Sequence, residues 1–348
     1  MSGFDNFDPN SVGLKENNIF GLPTNQENSQ LIIIPAPWEV TVSYRGGTAK
    51  APEQVLEASL QIDLYDQDGV DEWKKGYYML PIDKTIERKS AYLRSCSELV
   101  IGALSEGTDI DCNGQLCDKI KEVNEGGVFF KEWIKDLTLN YLKQGKKVVL
   151  LGGDHSTPLG YIQALATKHE SFGILQIDAH ADLRKAFENF TYSHASIMYN
   201  VLNEVPEVSK LVQVGIRDYC DEELDFINSN YKVTTFFDQD IKERLYEGEN
   251  WKQIVTDIIA ALPDNIYISF DIDGLDPKLC PNTGTPVPGG YEIEQIFYLF
   301  KQIKLSGKTI IGFDLNEVSS GEYFTESIDP LVGARALYKM CNIFMSQA

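Results

Sequence analysis

The sequence has few cysteines, and they show no spacing typical of a metal site or a disulfide framework. The six thiols are scattered, with no C-x-x-C pair among Cys96, Cys112, Cys117, Cys220, Cys280 and Cys341. Such usage is expected where thiols stay reduced. A disulfide-stapled secreted fold and a cysteine-rich zinc site are therefore both disfavoured.

Membrane-type segments and positive charge are also scarce. The opening residues MSGFDNFDPN lack a basic region followed by an apolar one, and no apolar run approaches the roughly 18 residues of a membrane helix. The chain has 31 basic against 52 acidic residues, a formal charge of -21, which repels phosphate backbones and anionic lipids. We therefore expect a cytoplasmic protein that binds neither nucleic acid nor membranes.

What the chain does have is a regular alternation of buried strands and amphipathic helices. Continuous apolar runs, typical of strands buried on both faces, occur at 31–37, 147–153, 172–178, 211–217, 266–273 and 309–315. Helical patterns lie between them, at 131–146, 159–169, 251–262 and 293–304. This order predicts an α/β fold with three α/β/α layers and a central, mostly parallel sheet.

The length and composition predict one domain. With 43% hydrophobic residues, the 348-residue chain can bury a large core, and no Pro/Ser-rich linker divides it. We expect a single domain over 1–348 with an N-terminal extension at 1–29. An insert around 64–128 interrupts the alternation with a charged, tyrosine-rich passage and a predicted helix at 90–104.

Three predicted strands end in residues of the types that bind metals. The three groups are Asp154 and His155, then Asp178, His180 and Asp182, and then Asp271, Asp273 and Asp276. Side chains two positions apart on an extended chain point the same way, so each group can converge on one point. In open α/β sheets the ligand crevice lies beyond the carboxyl ends of the strands. We therefore expect the three groups to meet in one crevice.

Such a concentration of carboxylates predicts a binuclear metal site. Carboxylates held together raise one another's pKa, and they stay ionised at low cost only when a cation lies between them. Each motif alone would fit a turn or a capping residue better, but all three occur at strand ends of one chain. Carboxylates and imidazoles without thiolates suit manganese, with nickel or cobalt as alternatives. Two such ions lower the pKa of a water between them, as hydrolases require.

Five motifs give the chain a resemblance to the ureohydrolase family, which includes arginases and agmatinases. They are GGDHS at 152–156, DAHADLR at 178–184, SFDIDGLDP at 269–277, TGTPVPGG at 283–290 and GFDLNEV at 312–318. The resemblance runs from about residue 30 to the C-terminus. It implies the arginase-like α/β/α fold, two manganese ions per chain and hydrolysis of a guanidino group to urea and an amine. It also implies a homo-oligomer, either a trimer or a hexamer.

Carried over position by position, the resemblance implies a role for each site residue. One ion would be bound by His155, Asp178, Asp182 and Asp271, and the other by His180, Asp178, Asp271 and Asp273. Glu317 would bind the guanidino group, which stays protonated in water and makes charge-assisted contacts with carboxylates. Asp182 would carry a proton to the leaving nitrogen. His194 would bind substrate at the cleft mouth and exchange protons with solvent, because the ordinary pKa of imidazole is about 6.5.

The loops around the metals indicate the substrate. The segments DLRKAFENFTYSH at 182–194 and SYRGGTAKAPEQVLEAS at 43–59 resemble agmatinases, whose substrate lacks the carboxylate that arginases bind. We therefore expect a small cationic guanidino substrate, agmatine, cleaved to putrescine and urea. Arg184 would repel this dication if it pointed inward, and Glu188, four residues later, could neutralise it if the segment is helical. Arginine, guanidinobutyrate, guanidine and formimidoylglutamate remain alternatives.

Two functions of other classes compete with this interpretation. A zinc-dependent amidohydrolase related to histone deacetylases would use a single catalytic zinc, and the presence of Asp182 together with Asp271 and Asp273 argues against it. A non-catalytic protein that keeps the fold as a binding scaffold is disfavoured by the complete ligand set and by Glu317.

Overall fold

The computed structural model describes residue 4 and residues 7–110, 114–322 and 326–347. Residues 1–3, 5 and 6 of the predicted N-terminal extension, and residues 111–113 of the predicted insert, lie outside this described part. None of the helices in this described part combines the length and the hydrophobicity that a membrane span requires.

A single parallel sheet forms the middle layer. Its eight strands in the described residues are β1 (Leu31–Pro35), β2 (Tyr77–Met79), β3 (Lys147–Leu151), β4 (Phe172–Ile177), β5 (Val208–Val214), β6 (Val233–Phe236), β7 (Asn265–Asp271) and β8 (Thr309–Asn316). Their order across the sheet is β2-β1-β3-β8-β7-β4-β5-β6, and every pairing is parallel. The strands β3, β8, β7 and β4 are therefore the central four.

Ten helices in the described residues cover the two faces of the sheet. They are α1 (Ala51–Ser59), α2 (Lys84–Ser105), α3 (Gln115–Lys143), α4 (Leu159–Ala166), α5 (Ile197–Glu204), α6 (Asp221–Ser229), α7 (Asp238–Tyr246), α8 (Trp251–Ala261), α9 (Ile293–Leu305) and α10 (Asp329–Met345). Helices α1, α8, α9 and α10 contribute to the core on one face, and α2 to α5 to the core on the other. The predicted three-layer α/β/α fold is confirmed.

The strands are apolar on both sides because each face of the sheet has its own core. In β1, Leu31 and Ile33 join the core under α1 and α10, whereas Ile32 and Ile34 join the core under α2 and α3. Successive side chains of a strand point to opposite faces, so a strand buried on both must be apolar throughout. This explains the continuous apolar runs in the sequence.

All six predicted strands are present, whereas the two outermost strands were missed. Strands β2 and β6 have only three and four residues. Each pairs with a neighbour on one side only, at an edge of the sheet. Such short edge strands carry too few residues for a period to stand out from the surrounding loop.

The predicted insert contains all of the long helix α2 and the first half of the long helix α3. Helix α2 begins at Lys84, six residues before the predicted start, because the carboxylate of Asp83 accepts hydrogen bonds from the backbone N–H groups of Thr85 and Ile86. An acidic N-cap of this kind satisfies donors that the helix leaves free. Helix α3 runs without a break through residue 128, the predicted end of the insert. The insert therefore continues directly into the helical layer.

We predict opposite effects of two glycine-to-alanine substitutions in the helices. A Cβ on Gly160, in α4, would lie 2.0 Å from the backbone oxygen of Lys131 in α3, whereas a Cβ on Gly102, in α2, would meet no atom within 4 Å. Gly160→Ala should therefore lower the free energy of unfolding by about 1–3 kcal/mol through overpacking. Gly102→Ala should raise it by up to about 1 kcal/mol through helix propensity. Denaturant unfolding of both variants checks this, and a Gly160→Ala variant as stable as Gly102→Ala would contradict the helix contact.

Candidate metal centre

The predicted metal ligands meet at the carboxyl ends of three of the central strands. The residues after β3 supply His155, the residues after β4 supply Asp178, His180 and Asp182, and the end of β7 with the next two residues supplies Asp271 and Asp273. Strand β8 lies between β3 and β7 and is followed directly by Glu317. All of these side chains are buried except that of His180, which is partly exposed. The sheet therefore brings the six predicted ligands together in one crevice.

One group of ligands surrounds a single nitrogen of His155. Its Nδ1 atom lies 3.0 Å from Asp178 Oδ2, 3.1 Å from Asp182 Oδ2 and 3.2 Å from Asp271 Oδ2. These are the four residues predicted to hold the first ion. The ligand atoms of His155, Asp178 and Asp271 lie close enough together to hold one metal ion.

A second group lies on the other side of Asp178. His180 Nδ1 is 3.0 Å from Asp273 Oδ2 and 3.6 Å from Asp178 Oδ1. These three residues also have ligand atoms placed to hold one ion. Asp271, which was predicted to bind both ions, is not in this second group, and its Oδ1 atom accepts a hydrogen bond from the backbone N–H of Asp273 at 2.9 Å. Asp178 thus contributes one carboxylate oxygen to each group, which is the arrangement expected of a bridging ligand.

The hydrogen bonds of His155 show that its Nδ1 atom is suited to a cation. Asp314 accepts hydrogen bonds from Tyr267 Oη at 2.5 Å and from Asn316 Nδ2. Ser269 Oγ, 3.1 Å away, also donates to Asp314, because an ionised carboxylate can only accept. Ser269 Oγ must then accept from His155 Nε2 at 2.9 Å. Neutral imidazole has only one N–H, so Nδ1 keeps a lone pair directed among three carboxylate oxygens. This buried atom has no hydrogen-bond partner among the described residues, and a metal ion would satisfy it.

The carboxylates also require a positive charge between them. Burial, together with the charge of Asp178, raises the pKa of Asp182 to about 7. Burial and the neighbouring charges of Asp273 and Asp178 raise the pKa of Asp271 well above its ordinary value. A bound divalent ion reverses such shifts because it favours the ionised form of every ligand. The donor set therefore fits a pair of divalent metal ions.

Glu317 lies beside the cluster with one carboxylate oxygen left over. Its Oε1 atom accepts a hydrogen bond from the backbone N–H of His155 at 2.8 Å, whereas its buried Oε2 atom has no partner among the described residues. Burial and the charge of Asp271 raise its pKa well above the ordinary value. The side chain lines the same cleft as His155 and Asp271. Oε2 is therefore available to a cationic group bound in the cleft.

Two of the site residues have left-handed backbone conformations. The φ angle is +55° at Asp182 and +62° at Glu317. Both are fixed by backbone hydrogen bonds: Asp182 O accepts from the N–H groups of Met198 and Tyr199, and Glu317 N donates to Gly153 O at 2.8 Å. Non-glycine residues in this conformation cost about 1–3 kcal/mol and persist only where the surroundings impose them. The fold therefore spends stability on aiming these two carboxylates.

His194 lines the cleft, but the pKa of its imidazole differs from that of an imidazole in water. Its Nδ1 atom is 3.3 Å from the hydroxyls of Thr41 and Ser193. Burial lowers its pKa to about 3. This is far below the ordinary imidazole value used in the sequence prediction, so near neutral pH the ring is neutral and can accept a hydrogen bond.

Glu188 does not neutralise Arg184, because the helical segment that this pairing would require is not formed. Residues 181–187 form a non-helical loop, so the two side chains are not one helical turn apart. Arg184 Nε instead lies 3.7 Å from Glu223 Oε2, and its guanidinium stacks over the ring of Phe187 at 4.8 Å. Glu223 also accepts a hydrogen bond from the backbone N–H of Leu183 at 3.0 Å. Arg184 is thus held against the cleft wall by a residue of α6.

Two of the strand-end aspartates lie outside the cluster. Asp154 accepts hydrogen bonds from the backbone N–H groups of Val40 and Ser156, both at 3.0 Å, and so fixes the loop after β1. Asp276 accepts from the backbone N–H of Lys278 at 3.0 Å in the turn after β7. Both residues have the turn-stabilising role that such motifs often have alone.

Sequence reasoning missed several residues that support the ligands. Ser269 and Asp314 hold His155, and Gln176 Nε2 donates to Asp178 Oδ2 at 2.8 Å. Each is a polar residue inside a strand predicted to be buried on both faces. A buried polar group needs a hydrogen-bond partner, so a polar residue within a buried strand was the sequence feature that could have identified these supporting residues.

Comparisons with known proteins agree with the geometry. The family model described as Arginase family matches residues 29–342. N(1)-aminopropylagmatine ureohydrolase from a Synechocystis species is 28% identical over 299 residues, which are 85% of this chain and 83% of that protein. Agmatinase from Neisseria meningitidis is 26% identical over 326 residues, which are 92% of this chain and 90% of that protein.

A solved structure supports the same fold. The agmatine ureohydrolase of Thermoplasma volcanium superposes with a TM-score of 0.69 at 20% identity, covering 92% of each chain. At this identity the likeness concerns the arrangement of the sheet and its helices.

We predict that manganese raises the unfolding temperature of chelator-treated protein. An ion that binds only the folded state adds about 2.7 kcal/mol at a free concentration 100 times its Kd. Asp271→Asn should lose most of this shift, because it removes a carboxylate charge beside His155 Nδ1. Asp276→Asn, in the exposed turn after β7, is the matched control and should keep it. A full manganese shift in Asp271→Asn, measured by thermal unfolding, would contradict the assigned centre.

Proposed function

This chain belongs to the arginase family, and we propose that it hydrolyses a carboxylate-free guanidino amine of the agmatine type with a pair of manganese ions. The family assignment confirms the resemblance carried by the five sequence motifs, and it makes the protein a ureohydrolase, a hydrolase that acts on guanidino groups. The substrate, the identity of the metal and the role of each residue are the content of the proposal.

The two groups of ligands would hold the ions on either side of Asp178. His155, Asp182 and Asp271 complete one group, and His180 and Asp273 complete the other. Manganese suits a set of carboxylates and imidazoles, and a pair of such ions polarises water and lowers its pKa towards neutrality. The sharing of Asp178 favours two ions over the single zinc of deacetylase-like enzymes.

The observation that carries the proposed chemistry is the free oxygen of Glu317. A guanidinium is planar and remains protonated in water, so it is best bound by a carboxylate that accepts its N–H groups. Glu317 Oε2 lacks a partner among the described residues, and Oε1 is held by His155 N at 2.8 Å. The substrate cation would also keep Glu317 ionised, against the burial that raises its pKa.

Asp182 and His194 are suited to moving protons in this cleft. Asp182 Oδ2 lies 3.1 Å from His155 Nδ1, at the edge of the first ligand group, and a carboxylate at this position can take a proton from water and pass it on. His194 lines the same cleft with a neutral ring. We assign Asp182 the transfer of a proton to the leaving nitrogen, and His194 a contact with the substrate or its departing amine.

The charges around the cleft favour a substrate whose far end is an amine. Arg184 is the one lysine or arginine among the described residues that line the cleft, and it is already engaged by Glu223 and Phe187. Asp218, also in the lining, has a carboxylate that is 68% exposed. An ammonium group would be attracted to this wall, whereas the carboxylate of arginine or guanidinobutyrate would meet like charge.

Aminopropylagmatine is the second candidate substrate. The Synechocystis relative that carries this name covers 85% of the chain. The molecule presents the same guanidino end as agmatine and differs in a longer, more positively charged amine end. The acidic wall with Asp218 is compatible with both compounds.

A panel of substrates tests the proposal. Urea release by manganese-loaded protein should be selective for agmatine or aminopropylagmatine. Their kcat/KM should exceed that of arginine and guanidinobutyrate by about 100-fold or more, because like charges placed together cost several kcal/mol. Guanidine and formimidoylglutamate complete the panel, with formamide measured for the latter. Preferred turnover of a carboxylate-containing substrate would overturn the assignment of the amine end and leave the metal chemistry in place.

We also predict the kinetic effect of Glu317→Gln. The substitution removes the charge but keeps the shape, so kcat/KM should fall about 10- to 150-fold, equivalent to a charge-assisted hydrogen bond of about 1.5–3 kcal/mol. The number of bound manganese ions should not change. Glu132→Gln, an exposed glutamate on α3, is the control and should keep wild-type kinetics. Unchanged kcat/KM in Glu317→Gln would refute its role in guanidinium binding.

A further inference from the structure

A row of polar residues crosses the sheet directly below the metal centre. The strand register aligns Thr235 in β6 with Gln213 in β5, Gln213 with Gln176 in β4, Gln176 with Ser269 in β7, and Ser269 with Asp314 in β8. Four of these five side chains are fully buried, and Thr235, at the sheet edge, is half-buried. Buried polar residues need hydrogen-bond partners, and the row contains two networks: Thr235, Gln213 and Gln176 form one, and Ser269 and Asp314 form the other.

The glutamine half of the row leads to Asp178. Thr235 Oγ1 lies 2.7 Å from Gln213 Oε1, Gln213 Nε2 lies 2.7 Å from Gln176 Oε1, and Gln176 Nε2 lies 2.8 Å from Asp178 Oδ2. The chain of contacts therefore runs from the edge strand, through two buried amides, to the carboxylate shared by the two ligand groups.

The direction of this chain is fixed by acceptors at each step. Gln176 faces Asp178 Oδ2 and the backbone oxygen of His180, which only accept, so its NH₂ group must point there. Its oxygen then faces Gln213, whose NH₂ group also donates to the backbone oxygen of Ala181 at 2.8 Å. The oxygen of Gln213 is left to accept from Thr235. Neither amide can be flipped without placing two acceptors against each other.

The two oxygens of Asp178 are thereby held for different purposes. Oδ2 accepts a hydrogen bond from Gln176 Nε2 and faces His155. Oδ1 accepts a hydrogen bond from the backbone N–H of His180 at 2.6 Å and faces the imidazole of His180. Rotation of this carboxylate would break both hydrogen bonds and remove one oxygen from each ligand group. A bridging ligand requires this fixed orientation.

We propose that Gln176 and Gln213 are positioning residues that hold Asp178 in its bridging orientation, through a one-directional relay that starts at Thr235. The inference rests on the metal-ligand role proposed for Asp178. The relay adds a requirement that the ligands alone do not reveal. Binding of both ions depends on a chain of hydrogen-bond donors that begins two strands away from the strand of Asp178.

The test is calorimetric titration of chelator-treated protein with manganese, comparing wild type with Gln176→Met, Gln213→Met and Thr235→Val. Loss of a residue that supports a metal ligand weakens metal affinity about 10- to 100-fold. We expect a loss of this size in Gln176→Met, a smaller loss in Gln213→Met and the smallest in Thr235→Val, because each step lies further from Asp178. Gln163→Met, which removes an amide donor to Glu204 outside the row, is the matched control and should bind manganese like wild type.

The graded order separates positioning from a general loss of stability. Thermal midpoints are measured on the same samples. If the core variants fail to fold, Thr235→Val still tests the relay, because it changes only the edge of the sheet. Wild-type affinity in Gln176→Met, or in Thr235→Val should Gln176→Met not fold, would overturn the relay while leaving the proposed hydrolase intact. Absence of manganese binding by wild type would overturn the metal assignment and the relay together.

Discussion

The accumulation of buried negative charge at the centre of the sheet is the constraint on which the rest of the structure depends. Asp178, Asp182, Asp271 and Asp273 are all buried within one crevice, and three of them converge on a single nitrogen of His155. Buried carboxylates held this close are costly unless cations lie between them. Helices, loops and the polar row can therefore be understood as the structure that holds this charge in place until metal compensates it.

Several unfavourable features of the fold lie at this one place. Asp182 and Glu317 adopt left-handed backbone conformations, and a row of polar side chains interrupts strands that are otherwise apolar on both faces. The two sides of this row have different functions. Ser269, which donates to Asp314, accepts the N–H of His155 Nε2 and so leaves Nδ1 facing the crevice, and Gln176 holds the oxygen of Asp178 that faces His155. The strands thus supply the orientation of the ligands as well as their positions.

The sequence was sufficient to predict the architecture and to locate the centre, because both depend on strong local patterns. Buried strands produce continuous apolar runs, and His155, Asp178 and Asp271 stand immediately at the ends of such runs. Strands β2 and β6 escaped because three or four residues at a sheet edge carry little periodicity. The partner of Arg184 could not be predicted because it comes from α6, 39 residues away, and a pairing across the fold leaves no local sequence pattern. The pKa of His194 could not be anticipated either, since it depends on burial.

The sharing of Asp178 by two metal ions can be observed by anomalous diffraction from crystals grown with manganese. We expect two anomalous peaks within coordination distance of Asp178, one also beside His155 and the other also beside His180. A single peak, or two peaks of which only one contacts Asp178, would contradict it.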